Sequence, residues 1–162
     1  NLPDVSWVYA PSGHDFRPGP LGRGGSSMSA SDAWLGSAVQ AIAQGPDWGG
    51  IVIFITFDDW GGWADHVVPP IVERFPDADP YRLGSRVPCV VVGPYAKPRY
   101  VSHVQSSHVS LVAFIERLWG LPPSPNPDAR RRTTSLDERA MADCVDLNQD
   151  LLPAPAASAV VA

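Results

Sequence analysis

The stretch FITFDDWGGWADHVVPP, residues 54–70, decides the reading of this chain. An unbroken run of seven apolar or β-branched residues, 51–57 (IVIFITF), ends in two adjacent carboxylates, Asp58 and Asp59. Such a run without alternation predicts a strand covered on both faces, as in a parallel sheet flanked by helices. Adjacent aspartates past its end repel each other and cover no apolar surface. A bound cation removes that repulsion: carboxylate oxygens suit Mg, Ca or Mn and also bind Zn. The competing reading is a turn, where aspartate and glycine are common. Gly61 and Gly62 let the backbone pass close to an ion or a substrate. His66 can bind a metal, donate a proton or hydrogen-bond its neighbour Asp65.

Outward from this stretch the elements alternate. Residues 1–10, with 5–9 at their centre, read as a strand bounded by Pro3 and Pro11. Residues 11–31 are rich in Pro, Gly and Ser and read as a long loop, the kind that is often functional. Its GPLGRGG follows no strand directly and opens no helix, so it is not a nucleotide site. A helix capped by Ser31 or Asp32 follows, with Trp34, Leu35, Ala38, Val39 and Ile42 at helical spacing and Gly45-Pro46 as its stop. After the acidic loop, residues 73–86 (ERFPDADPYRLGSR) read as an exposed connection. Residues 87–92 read as a second buried strand, with Cys89 a buried small hydrophobe. A helix capped by Ser106 or Ser107 comes next, with Leu111, Ile115 and Leu118 on one face and Gly120 and Pro122-Pro123 ending it. A short helix is expected within 136–144, and the low-complexity end, residues 147–162, is expected to be an irregular or disordered tail. Strand, helix, strand, helix in alternation is the α/β class. Open α/β sheets form sites outside the carboxyl ends of their strands, where Asp58 and Asp59 lie. The loop between residues 94 and 108, with His103 and His108, follows the second strand in the same way.

Composition narrows the function. With 162 residues, 44% hydrophobic and 18% charged, the chain is long enough for one domain with a core. A net charge of −5 argues against binding nucleic acid through basic patches. The seven-residue apolar run is far too short to span a bilayer, and no signal-peptide pattern is visible. The two cysteines form no metal-binding spacing. The opening NLPDVSWVYAPSG reads as the middle of a domain, so a piece of a longer protein is the expectation.

Several long motifs in order carry a family resemblance. FITFDDWGGWADHVVPP closely resembles a C-terminal signature of the bacterial phosphoesterase family of phospholipases C and acid phosphatases, within the alkaline phosphatase superfamily. VPCVVVGPYAKPRYVSHVQSSHVSLVAFIERLWGLPP resembles the second signature, and LPDVSWV is similar to the strand that precedes the site. The resemblance covers roughly residues 2–146, so residues 1–146 are expected to be the C-terminal part of a phosphoesterase catalytic domain with an alkaline-phosphatase-like, incomplete sheet.

The resemblance implies metal-assisted hydrolysis of phosphate esters, either phospholipids or phosphomonoesters. Asp58 and Asp59 match the metal-ligand pair of a divalent ion whose identity stays open. His66, His103 and His108 match catalytic histidines. Two features depart from the family pattern. The N-terminal Glu-Asn-Arg-Ser-Phe-Asp-His-type motif and the segment with a Ser or Thr nucleophile have no counterpart, so the missing N-terminal half of the domain is an expected partner. The loop after VSWV reads SGHDFRPG, so either His14 serves from a shifted position or Arg17 replaces the histidine that precedes a proline. The alternative is a non-catalytic remnant or binding module that keeps the fold without the nucleophile; a sulfatase-like relative is a weaker third reading. Localisation stays open, and the resemblance is compatible with a secreted or periplasmic protein.

Overall fold

The computed structural model describes residues 2–11, 27–74, 76, 79–122 and 141–156. Among these the chain forms helices α1 (Met28–Ala43) and α2 (His108–Leu118) and strands β1 (Ile53–Thr56), β2 (Ile71–Glu73), β3 (Tyr81–Arg82) and β4 (Cys89–Val92). Two single-turn 3-10 helices, Trp48–Gly50 and Ala142–Cys144, complete the regular structure. Helices and strands mix, as an α/β reading requires. The strands form two two-stranded sheets, β1 with β4 and β2 with β3. The described residues fall into two compact units, one drawn from Asn1–Ile53, Val92–Tyr95 and Asp150–Ala162, the other from Phe54–Val91 and Ala96–Gln149.

In the first unit, α1 is capped by Ser27, four residues before Ser31 and five before Asp32, the expected caps. The Ser27 hydroxyl accepts the Ala30 N–H at 3.0 Å, satisfying one of the free donors of the first turn. Ser31 sits inside the helix, fully buried, and donates its hydroxyl back to the Ser27 carbonyl at 3.2 Å. That local bond lets a serine sit buried where the sequence suggested a cap. Gly36, Val39 and Ala43 are the other buried positions of α1, and Gln44 closes it before Gly45-Pro46. Residues 2–11 are not a strand, contrary to expectation. They find no ladder partner among the described residues, and Trp7, Val8 and Tyr9 are 63%, 65% and 82% exposed. A β-favouring composition gives a strand only where another strand takes its hydrogen bonds.

The second unit holds nearly all of the β1–β4 sheet, together with β2, β3 and α2. The seven-residue run is shorter as a strand than its sequence suggested and is half-buried along its whole length. Among the described residues β1 has one neighbour, β4, so it is not the central, doubly covered strand that was expected. Thr56 closes its end by donating its hydroxyl to the Pro88 carbonyl at 3.0 Å. Cys89, expected buried, is exposed. The connection over residues 73–86 contains a small antiparallel hairpin-like pair instead of a plain loop, with Ile71 opposite Arg82 and Glu73 opposite Tyr81 across an irregular register. Arg82 and Leu83 tie it back to the Pro69 and Pro70 carbonyls at 2.9 and 3.0 Å. Strands of two and three residues are too short to leave a periodic pattern.

Helix α2 carries the expected cap, Ser107, whose N–H donates to the Ser110 hydroxyl at 3.0 Å. Phe114 on α2 meets Phe54 on β1 edge to face, ring centroids 5.1 Å apart at 69°. The helix stops at Trp119-Gly120, with the Leu121 N–H donating to the Glu116 carbonyl at 2.8 Å. Of the helix expected within 136–144, the described part is the 3-10 turn Ala142–Cys144; residues 136–140 lie outside the described residues, as do His14 and Arg17.

Candidate active site

The acidic pair lies past the end of β1, separated from it by Phe57, and is exposed. Asp59 folds back locally, its Oδ1 accepting the Gly61 N–H at 2.6 Å. The next reversal needs its glycines: Gly61 and Gly62 take φ of 66° and 79°, left-handed values costly for any residue with a Cβ, and the Trp63 N–H donates to the Trp60 carbonyl at 3.2 Å. The turn chemistry read as the competing explanation is therefore present, and it engages Asp59. Asp58 has no hydrogen-bond or ion-pair partner among the described residues, and its oxygens stay available.

His108 opens α2, and its Nε2 lies 2.6 Å from the Phe57 carbonyl oxygen, next to Asp58. A carbonyl can only accept, so Nε2 carries the hydrogen and Nδ1 is left with its lone pair in the neutral ring. Histidines that bind metals use this arrangement, one ring nitrogen donating to a carbonyl and the other facing the ion. His108, Asp58 and Asp59 line a common cavity of about 570 Å³, with Thr56, Arg86 and Met141 also in its walls.

The other two histidines lie elsewhere. His66 lines an adjoining open trough of about 400 Å³ with Trp60, Trp63, Asp65 and Arg86. His103 is exposed and lines neither space. Of the three histidines, His108 alone shares the cavity of the acidic pair.

Asp65, read only as a partner for His66, has a different role. Arg86 grips it with a fork: Nε to Oδ2 at 3.1 Å, a terminal nitrogen to Oδ1 at 2.9 Å, and the Arg86 N–H to Oδ2 at 2.9 Å. The Val67 N–H adds a bond to Oδ1 at 3.0 Å. The Arg86 guanidinium first, then these backbone donors, hold the carboxyl well below the usual carboxylate range. The pair pins the glycine loop to the segment that enters β4. The signal for it was present as an Asp and an Arg in loops twenty-one residues apart, a separation that no local pattern connects.

As a metal site the residues fit in part. Asp58 offers free hard oxygens, Asp59 has one oxygen uncommitted, and His108 holds a ligand's orientation. Yet no group of three or more potential ligands comes together among the described residues. The described residues thus supply fewer ligands than a closed coordination shell needs.

Comparison with known proteins follows the same line. A family model described as the phosphoesterase family matches residues 1–122. The chain belongs to the phosphoesterase family. It is 33% identical over 138 residues to a non-hemolytic phospholipase C of Burkholderia pseudomallei, covering 71% of this chain and 19% of that protein. A non-hemolytic phospholipase C of Pseudomonas aeruginosa is 27% identical over all of this chain, which spans 29% of it. Phospholipase C B of Mycobacterium tuberculosis is 30% identical over 82% of this chain and 28% of its own length. This phosphoesterase chain therefore spans less than a third of the length of these relatives, and the family match over residues 1–122 contains Asp58, Asp59 and all three candidate histidines.

Proposed function

We propose that this chain carries the C-terminal part of the active site of a phosphate-ester hydrolase, built on an alkaline-phosphatase-like sheet. The observation that carries the reading is the shared cavity of Asp58, Asp59 and His108 in a member of the phosphoesterase family. The names of the relatives favour phospholipids as substrates, with soluble phosphomonoesters as the simpler class. Asp58 and Asp59 would hold a divalent ion together with ligands from outside these residues. Such an ion, when bound, neutralises phosphoryl charge and activates a hydroxyl nucleophile.

The chain's own residues do the rest. His108, its Nε2–H committed to the Phe57 carbonyl, works through the Nδ1 lone pair as a ligand or a proton acceptor. His66, which lines the trough with Trp60, would donate to a phosphoryl oxygen or a leaving alcohol. His103, exposed on the loop before α2, completes the proposed histidine set. The absence of a three-ligand group among the described residues favours a second reading, a non-catalytic remnant that keeps the fold.

One pair of measurements separates the two. The isolated chain should bind Mn²⁺ in calorimetry, weakly and dependent on Asp58, and should turn over p-nitrophenyl phosphate little by itself. In the full-length protein, Asp58→Asn should cost at least about a hundredfold in kcat/KM. Undiminished hydrolysis by the Asp58→Asn protein would overturn the assignment. Absence of both metal binding and hydrolysis in the full-length protein would establish the remnant.

A further inference from the structure

We propose that Asp143 is a positioning residue that holds the histidine-bearing loop of this site in register; for the role of His108 the inference rests on the function proposed above. Asp143 lies beyond residue 122, where the family match ends. It sits in the 3-10 turn Ala142–Cys144, directly after Met141, a buried residue that walls the cavity of Asp58 and His108.

Its carboxylate reaches into the loop between β4 and α2. Oδ2 accepts the Ser102 hydroxyl at 2.5 Å and the Tyr100 phenol at 3.0 Å. The Ser102 hydroxyl oxygen in turn accepts the Val104 N–H at 3.1 Å, and the Ser106 hydroxyl donates to the Val104 carbonyl at 3.3 Å. The next two residues are the cap of α2 and His108. A continuous set of bonds therefore runs from Asp143 through Ser102 and Val104 to the turn that sets the entry of α2. His108 must meet the Phe57 carbonyl at 2.6 Å, and that distance depends on where the entry lies.

The turn that bears Asp143 is itself anchored. The Lys97 N–H donates to the Cys144 carbonyl at 2.9 Å, Ala96 and Val145 form an antiparallel bridge, and the Gln149 amide donates to the Ala96 carbonyl at 3.1 Å. These bonds, two of them backbone to backbone and one from the Gln149 side chain, fix the start of the loop, whereas Asp143 fixes its middle. A carboxyl oxygen is suited to this work, because its two lone pairs accept both hydroxyls at once. Two hydroxyl donors converging on one oxygen also define the direction of the loop as well as its distance.

The test reads the His108 ring directly in the full 162-residue chain. In wild type the Nε2–H, held by the Phe57 carbonyl, should give a proton resonance protected from solvent exchange. Asp143→Ala should lose that resonance, and Ser102→Ala should broaden or lose it, while the Phe54–Phe114 ring contacts persist. Asp143→Asn, whose amide oxygen still accepts both hydroxyls, should restore it. Asp146→Asn, which removes a charge three residues away, should leave it intact. Should Asp143→Ala fail to fold, Ser102→Ala decides. A protected His108 resonance surviving in whichever of these two variants is read would overturn the proposal. In the full-length protein, Asp143→Ala should lower kcat about tenfold to a hundredfold with KM changed less than about threefold. A catalytically silent full-length protein would refute the proposed function, while the ring resonance would still judge Asp143.

Discussion

Removing the ring of Phe114 gives the most informative test of how the site is held together. Phe114 on α2 and Phe54 on β1 meet edge to face at 5.1 Å, joining the helix that begins with His108 to the strand that ends before Asp58. Truncating a fully buried phenylalanine to alanine costs about 3–5 kcal/mol. Both rings are only half-buried, so roughly half of that, about 1.5–2.5 kcal/mol, is expected for Phe114→Ala. Of this, about 0.5–1.5 kcal/mol belongs to the ring pair itself beyond simple area burial. Phe54→Ala should cost a similar amount, and the double variant should cost less than the sum by that coupling. The assay is urea denaturation of the four proteins, followed by circular dichroism with the slope checked for constancy. Strict additivity, within about 0.3 kcal/mol, would mean that the rings do not transmit force between β1 and α2. The link between the histidine and the acidic pair would then have to come from the Phe57–His108 bond alone.

Other expectations follow from the loops. Asp65 is depressed by the Arg86 fork, so its contribution is complete above the ordinary carboxylate range near 3.9 and is lost as pH falls through its lower folded value. Arg86→Ala should move the Asp65 titration, read by carboxyl carbon resonances, back up toward that range; an unmoved midpoint would contradict the geometry. Gly62→Ala should destabilise by about 1–2 kcal/mol because φ is 79° there, and Gly61→Ala by more, since a Cβ would lie 3.2 Å from the Trp63 ring. Thermal denaturation that ranks Gly62 above Gly61 would show that the loop relaxes around the added methyl group. Trp7, Trp60, Trp63 and Trp119 are 45–68% exposed, so the isolated chain should bind a dye for exposed apolar surface strongly. A sharp thermal transition with no dye bound would argue that the chain covers its own apolar surface.

The sequence by itself determined the elements whose signal is local. Ser107 as a cap and Gly120 as a stop are set within one or two turns of helix, and the structure has them; of the apolar face read for α2, Leu118 is exposed, and the buried positions are Ser110 and Ala113. The end of the β1 strand and the place of Asp58 and Asp59 just past it were legible because an apolar run meets two charges abruptly. The motif order also carried the family, since long signatures in sequence survive without tertiary context. Tertiary structure alone decided which groups meet. Residues 2–11 have strand composition but no ladder partner among the described residues, and the 51–57 run looks doubly covered yet is half-buried beside a single neighbour. His66, His103 and His108 look equivalent as loop histidines, but only the start of α2 carries one to the Phe57 carbonyl. Asp65 with Arg86 and Asp143 with Ser102 join residues twenty-one and forty-one positions apart. Periodicity and capping act over a few residues, whereas these bonds depend on how distant loops are folded back, which no local pattern encodes.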